Sequence, residues 1–213
     1  MRISFVLFLF YSYFSLSLNA QNNKSFEGII TYKKETMNDT VFNNFYIKGS
    51  KIRIDYILKT GKLLKYKIID FKNNEYIVVN PSKKLYVQSY INKTTTVKNG
   101  SLIVDKTGNY KFIQQKKCFQ WLVKDKQNNT VVSYWVSYEG YNYYGDLLEI
   151  LNETEKIFSY FSQIPNSNGY IPFISVERSW LRDERMKMTA EKIIEISIDD
   201  SVFDIPKGYL PFN

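Results

Sequence analysis

The side chains that could do chemistry are few in this 213-residue sequence, which has no histidine and a single cysteine, Cys118. The lack of histidine removes Ser-His-Asp and Cys-His nucleophilic systems, imidazole zinc sites and the usual proton shuttle near neutral pH. One cysteine leaves no intramolecular disulfide. Cys118 alternates with Gln120 and Leu122 in a strand-like stretch, where a small buried apolar thiol is the expected role. The carboxylates Asp55, Asp70, Glu177, Asp183 and Glu184 could serve as acids or bases only if folding pairs them, since no spacing does so. Asp199-Asp200 lacks the regular oxygen-ligand spacing of a calcium loop and reads as a solvated turn. The expectation is a non-enzyme with no catalytic residues, metal ligands or cofactors.

The formal charge is +8, from 29 Lys+Arg against 21 Asp+Glu. Lysine, isoleucine, asparagine and tyrosine, all with A/T-rich codons, are abundant, and that bias accounts for the basic balance without an anionic partner. Attraction to anionic headgroups is still permitted. Lysines and tyrosines interleave between Tyr46 and Tyr90, a pattern that could stack single-stranded nucleic acid or glycan. Such alternation more commonly marks a sheet with one wet face, so no nucleic-acid partner is expected. Six Asn-x-Ser/Thr sequons, at Asn23, Asn38, Asn92, Asn99, Asn128 and Asn152, fit chance in an asparagine-rich chain.

Residues 1–20 read as a secretory signal peptide: Arg2, an apolar stretch from Ile3 to Phe14, then small and polar residues to Ala20. The apolar core is too short to span a bilayer, and no later stretch is long and apolar enough to do so. Residues 21–213 then form one domain, exported to the periplasm or secreted. No cysteine follows Ala20 to take a lipid anchor.

The elements that must position any site begin with strands. Period-two alternation runs through Phe26–Tyr32, Phe45–Ile47, Ile52–Leu58, Leu63–Phe71, Glu75–Val79 and Leu85–Tyr90. In Ile52-Arg53-Ile54-Asp55-Tyr56 it is clean, placing Ile52, Ile54 and Tyr56 toward a core and Arg53 and Asp55 toward water. Further strands cover Leu102–Asp105, Cys118–Lys124, Thr130–Tyr138, Ile171–Trp180 and Arg185–Ile198. Short turn signals, among them Lys48-Gly49-Ser50, Asn80-Pro81-Ser82, Asn99-Gly100 and Thr107-Gly108-Asn109, call for antiparallel neighbours. The period changes at Asp146: apolar residues at 147, 148, 151, 158 and 161 predict one amphipathic helix from Asp146 to about Gln163, opened by Asp146-x-x-Glu149 and stopped by Pro165.

The motifs Phe26-Glu27-Gly28-x-Ile30-x-Tyr32, Ile47-Lys48-Gly49-x-Lys51-x-Arg53, Thr107-Gly108 with Lys117-Cys118 and Trp135-Val136-Ser137, and Phe203-x-Ile205-Pro206-x-Gly208-Tyr209 resemble the Bacteroidota domain-of-unknown-function family 4412. Gln115-Lys116 stands where that family shows Gly-Tyr. The resemblance covers nearly all of residues 21–213. It implies an envelope protein of a Gram-negative bacterium with a fold like the Lol-type lipoprotein carriers. That fold is mainly β with one or two helices: a strongly curved antiparallel sheet, an incomplete barrel, with an amphipathic helix on its concave side. The helix is then either an ordinary core helix or one wall of an apolar cavity for an acyl chain, lined by Ile52, Ile54, Tyr56, Leu147, Leu151, Phe158 and Phe161. The expected partner is a lipid, an acyl chain or an envelope protein, the alternative being a structural or interaction domain with no small ligand.

Overall fold

A computed structural model describes residues 26–91, 102–141, 143–151 and 156–212. The expected signal segment and the Asn99-Gly100 turn lie outside them. Twelve strands form one sheet: β1 (Gly28–Thr36), β2 (Thr40–Lys48), β3 (Lys51–Leu58), β4 (Leu63–Asp70), β5 (Glu75–Asn80), β6 (Leu85–Tyr90), β7 (Leu102–Ile113), β8 (Lys116–Asp125), β9 (Thr130–Tyr141), β10 (Gly169–Ser179), β11 (Glu184–Glu195) and β12 (Leu210–Pro211). Between β9 and β10 lie α1 (Tyr144–Leu151) and α2 (Lys156–Ser162), and a 3-10 turn spans Asp200–Phe203.

The strand order is β12-β6-β5-β4-β3-β2-β1-β11-β10-β9-β8-β7, antiparallel except where β12 pairs β6. The sheet is mainly β architecture left open, not closed into a barrel. Two meanders, β1 to β6 and β7 to β11, are joined through the pairing of β1 with β11, from Gly28 opposite Glu195 to Thr36 opposite Met186.

Alternation sends one set of side chains to each face. One cluster gathers Ile30 and Tyr32 of β1, Phe45 of β2, Ile52 and Ile54 of β3, Trp121 of β8, Tyr134 of β9 and Phe173 of β10 with the helices. Strands from both meanders meet the same helices only because the sheet curls around them. On the outer face a second cluster forms where Ile198, Phe203 and Tyr209 of the closing segment cover Tyr66, Ile68 and Val79.

That closing segment corrects one expectation. Arg53 and Asp55 do not face water: their side chains are 19% and 9% exposed, and they pair at 2.7 Å. Arg53 also donates to the Val202 carbonyl and lies 3.9 Å from the Tyr66 ring centroid. The strand alternates as read, but the face it turns outward is roofed by chain from the far end of the sequence.

Two boundaries also differ. Thr107-Gly108-Asn109 is no turn; the ladder breaks there as a bulge between Lys106 and Tyr110, and the Thr107 hydroxyl donates to the Gln120 carbonyl. The β7 strand therefore continues to Ile113, and the reversal falls on Gln114 and Gln115, with φ of 49° and 65°. Among the described residues, the apolar period from Leu147 to Phe161 falls on two helices, α1 and α2, where one was expected.

Candidate functional site

The helix-covered face holds the predicted lining. Ile52 and Ile54 come from β3, Leu147 and Leu151 from one face of α1, and Phe158 and Phe161 from α2; all are buried in one cluster, with Tyr56 partly buried against it. α1 starts at Tyr144, two residues before the expected opening at Asp146, so Asp146 lies inside the first turn, where a carboxylate favours the helix dipole, and the Leu147 N–H bonds the Tyr143 carbonyl. Phe161 is the hub of the packing. Its ring stacks 6.0 Å from Trp121, meets Tyr134 edge-on at 5.1 Å and Tyr144 edge-on at 5.8 Å. The Tyr134 hydroxyl donates to the Ile157 carbonyl at 2.6 Å, pinning the start of α2 to β9.

This face is not uniformly apolar. Lys67 pairs across the ladder with Ile54, so it points to the helix side, and it is only 3% exposed. Its ammonium lies 5.6 Å from the ring centroids of both Tyr56 and Tyr76. Two strands over, Asn43 sits opposite Tyr56 and Tyr32 and is buried, and its Oδ1 has no hydrogen-bond partner among the described residues. Tyr141, fully buried in the same cluster, has an unpartnered hydroxyl too. Unpaired buried oxygens are costly unless something polar meets them. The sequence reading did not single out Lys67; the signal that could have found it is strict alternation along β4, in which Lys67 shares a face with Ile69 and not with Tyr66.

The candidate acid–base carboxylates are committed elsewhere. Asp70 Oδ1 accepts from the Lys72 and Asn73 N–H groups, and Oδ2 from the Asn73 amide. Asp125 repeats that arrangement with Gln127 and Asn128, and its Oδ2 also accepts from Tyr160 at 3.0 Å. Burial alone would raise the Asp125 pKa, but hydrogen bonds from Asn128, Tyr160 and Gln127 outweigh it and hold the group below its ordinary value. Each carboxylate locks an Asp-x-x-Asn-Asn hairpin turn whose last Asn takes positive φ, Asn74 at 59° and Asn129 at 47°. Glu177 faces Arg185 at 3.9 Å, Asp183 accepts from Ser179, and Glu184 pairs with Arg178. Asp199 caps the 3-10 turn by accepting from Ser201 N–H.

Cys118 is fully buried on β8. Burial pushes its thiol up to about 11, with the nearby Glu139 carboxylate adding to the effect. Among the described residues no three histidine, cysteine or carboxylate side chains converge as a metal site, and no helix is long and apolar enough to cross a membrane.

On the face away from the helices, Gln120, Leu122, Val131 and Ser133 floor a groove walled by Arg178, Trp180 and Arg182. Its volume of about 270 Å³ falls below the ~300–1,000 Å³ of ordinary ligand pockets.

Comparison with known proteins follows the geometry. An uncharacterized conserved protein from Thermus thermophilus superposes with a TM-score of 0.55 at 8% identity, over 89% of this chain and 91% of that one. MucB superposes with a TM-score of 0.51 at 8% identity, over 86% of this chain and 57% of MucB, so this chain spans little more than half of that protein's length. A putative outer membrane lipoprotein-sorting protein domain from Vibrio parahaemolyticus aligns at a TM-score of 0.31 and 4% identity, covering 83% and 88% of the two chains. At 8% identity the first two likenesses concern fold alone. No curated protein matches the sequence. The Domain of unknown function (DUF4412) matches residues 26–209, a span that takes in every motif from Phe26 to Tyr209, and the chain belongs to that family.

Proposed function

We propose that this protein is a non-enzymatic binding module of the cell envelope, exported and acting in the periplasm or outside the cell, whose ligand is a lipid or another amphipathic molecule. The observation that carries the reading is the mixed character of the helix-covered face: Lys67 and Asn43 stand buried beside Ile52, Ile54 and the apolar sides of α1 and α2. An acyl chain suits the surface formed by Leu147, Leu151, Phe158 and Phe161. An anionic or hydroxylated headgroup suits Lys67, Tyr56 and Asn43. Because the apolar side chains already meet one another, entry of a chain displaces α1 and α2 from the sheet. The secretory character of residues 1–20 supports an envelope location.

Native mass spectrometry of protein purified without detergent, followed by organic extraction, tests the reading. Lipid adducts are expected, together with saturable uptake of a fluorescent fatty acid that weakens in Lys67→Gln. Protein that retains no lipid and takes up no fatty acid would overturn it.

A further inference from the structure

Beyond the helices, the β7 end of the same sheet face is aromatic and uncovered. Tyr110, Phe112 and Tyr138 are 56%, 67% and 60% exposed. Cross-strand register places Tyr110 opposite Phe119 and Phe112 opposite Lys117, so all four stand on one side of the β7–β8 hairpin. The row continues to β9, where Val136 faces Phe119 and Tyr138 follows two residues on, edge-on to Tyr170 at 5.3 Å. Tyr110 meets Phe112 and Phe119 at 6.3 and 6.5 Å. Lys117 lies over this patch, 4.3 Å from the Tyr110 ring centroid and 5.2 Å from that of Phe119. No carboxylate belongs to the row.

Beside the patch runs an open backbone edge. The β7 strand ends the sheet, so its outward N–H and C=O groups have no ladder partner among the described residues. Natural sheets guard such edges with bulges, charges or covering chain. The first half of β7 is guarded in this way, by the bulge after Lys106 and by the Lys106 ammonium, which donates to the Pro165 and Asn166 carbonyls. Tyr110 to Ile113 lies beyond that bulge, its one charge, Lys111, rests over the Trp135 ring on the opposite face, and it is there that the exposed aromatic rings stand.

We propose that the edge from Tyr110 to Ile113 docks an extended acidic segment of a partner protein, which adds a strand to the sheet. The free edge calls for an extended backbone. Exposed Tyr110 and Phe112 call for apolar side chains at alternate positions of that segment. Lys117 on one side of the hairpin, and Lys111 on the other, 4.1 Å from the Trp135 ring centroid, call for carboxylates. This surface is separate from the helix-covered lining, so its fate does not depend on lipid binding.

The test uses the whole exported chain and a fluorescein-labelled, end-blocked peptide alternating Glu and Val over seven residues, with two controls: the Lys-for-Glu peptide and the Glu-Val peptide N-methylated at alternate backbone nitrogens. Expected are affinity at least about tenfold higher for the acidic peptide by anisotropy, loss of binding on N-methylation, and slowed amide exchange confined to Tyr110–Ile113. Phe112→Ser and Lys117→Glu, both at surface positions, should each weaken binding about tenfold while thermal unfolding stays unchanged. Equal affinity for the acidic and basic peptides, unchanged binding after N-methylation, or exchange protection elsewhere would each overturn the proposal. So would binding to phosphatidylglycerol vesicles through Phe112 with no peptide binding, which makes the patch a membrane surface. Self-association abolished by Phe112→Ser with no peptide binding would overturn it in favour of a second copy of this chain.

Discussion

The Tyr160 hydroxyl donates to Asp125 Oδ2 across 3.0 Å, and this one hydrogen bond fastens α2 to the turn between β8 and β9. Tyr160 is buried and its hydroxyl is pushed up to about 12, by burial first and then by the carboxylate it serves. Tyr160→Phe removes a hydrogen bond to a charged acceptor and should cost about 1.5–3 kcal/mol in urea unfolding. An unchanged midpoint would mean that α2 is held by packing alone.

Acid should weaken the fold through the same carboxylate. The Asp125 pKa is depressed in the folded chain, so its stabilisation is fully present above the unfolded value near ~3.9 and is lost as pH falls through the lower folded value. Glu35 and Asp199 are shifted in the same direction by Lys33 and Ser201. Stability measured from pH 5 to pH 2 should therefore fall, and the fall should be shallower in Asp125→Asn without disappearing. A variant that tracks the parent at every pH would count against the assignment.

Cys118 should behave as packing. Its thiol is fully buried and titrates near 11, so almost no thiolate exists at pH 7.5. A chromogenic disulfide reagent should leave the native protein unmodified for hours and label it at once in denaturant. Rapid labelling of the native chain would show that the site opens.

Gly28 opens β1 with φ of 155°, and a Cβ built there would lie 2.0 Å from the Ile194 carbonyl oxygen of β11. That contact is with backbone and cannot be relieved by a rotamer change. Gly28→Ala should force β1 and β11 apart at Gly28 and Glu195, costing about 3 kcal/mol or more, read as a lower melting temperature. Gly49→Ala, with open space around it, is the matched control for strain without collision.

Most strands were legible because alternation is a local property: Ile52-Arg53-Ile54-Asp55 announces both its conformation and its two faces. The partners of those faces were not. Arg53 and Asp55 are covered by Val202 and its neighbours, more than half the chain away, and no local pattern encodes that roof. Thr107-Gly108-Asn109 misled for a related reason. Turn-forming residues also suit a bulge, and only the Gln120 carbonyl waiting across the ladder decides between the two. The apolar residues that α1 and α2 bury were legible in the helical period, whereas nothing about a lysine inside a tyrosine-rich strand singles out Lys67 as buried. The Phe-Glu-Gly opening of the family motif acquires a reason in the contact between Gly28 and Ile194.

The pairing of β1 with β11 also sets a timetable. Residues 28–36 leave any ribosome or translocation pore long before their second neighbour, residues 186–195. Contacts between such distant segments form slowly, since a long loop must close before they reward it. The first meander can zip from β1 to β6, but it must wait with one side of β1 bare until residues 186–195 have passed. The two halves of the sheet cannot join before β11 has followed β1, and they owe that delay to a single strand pair.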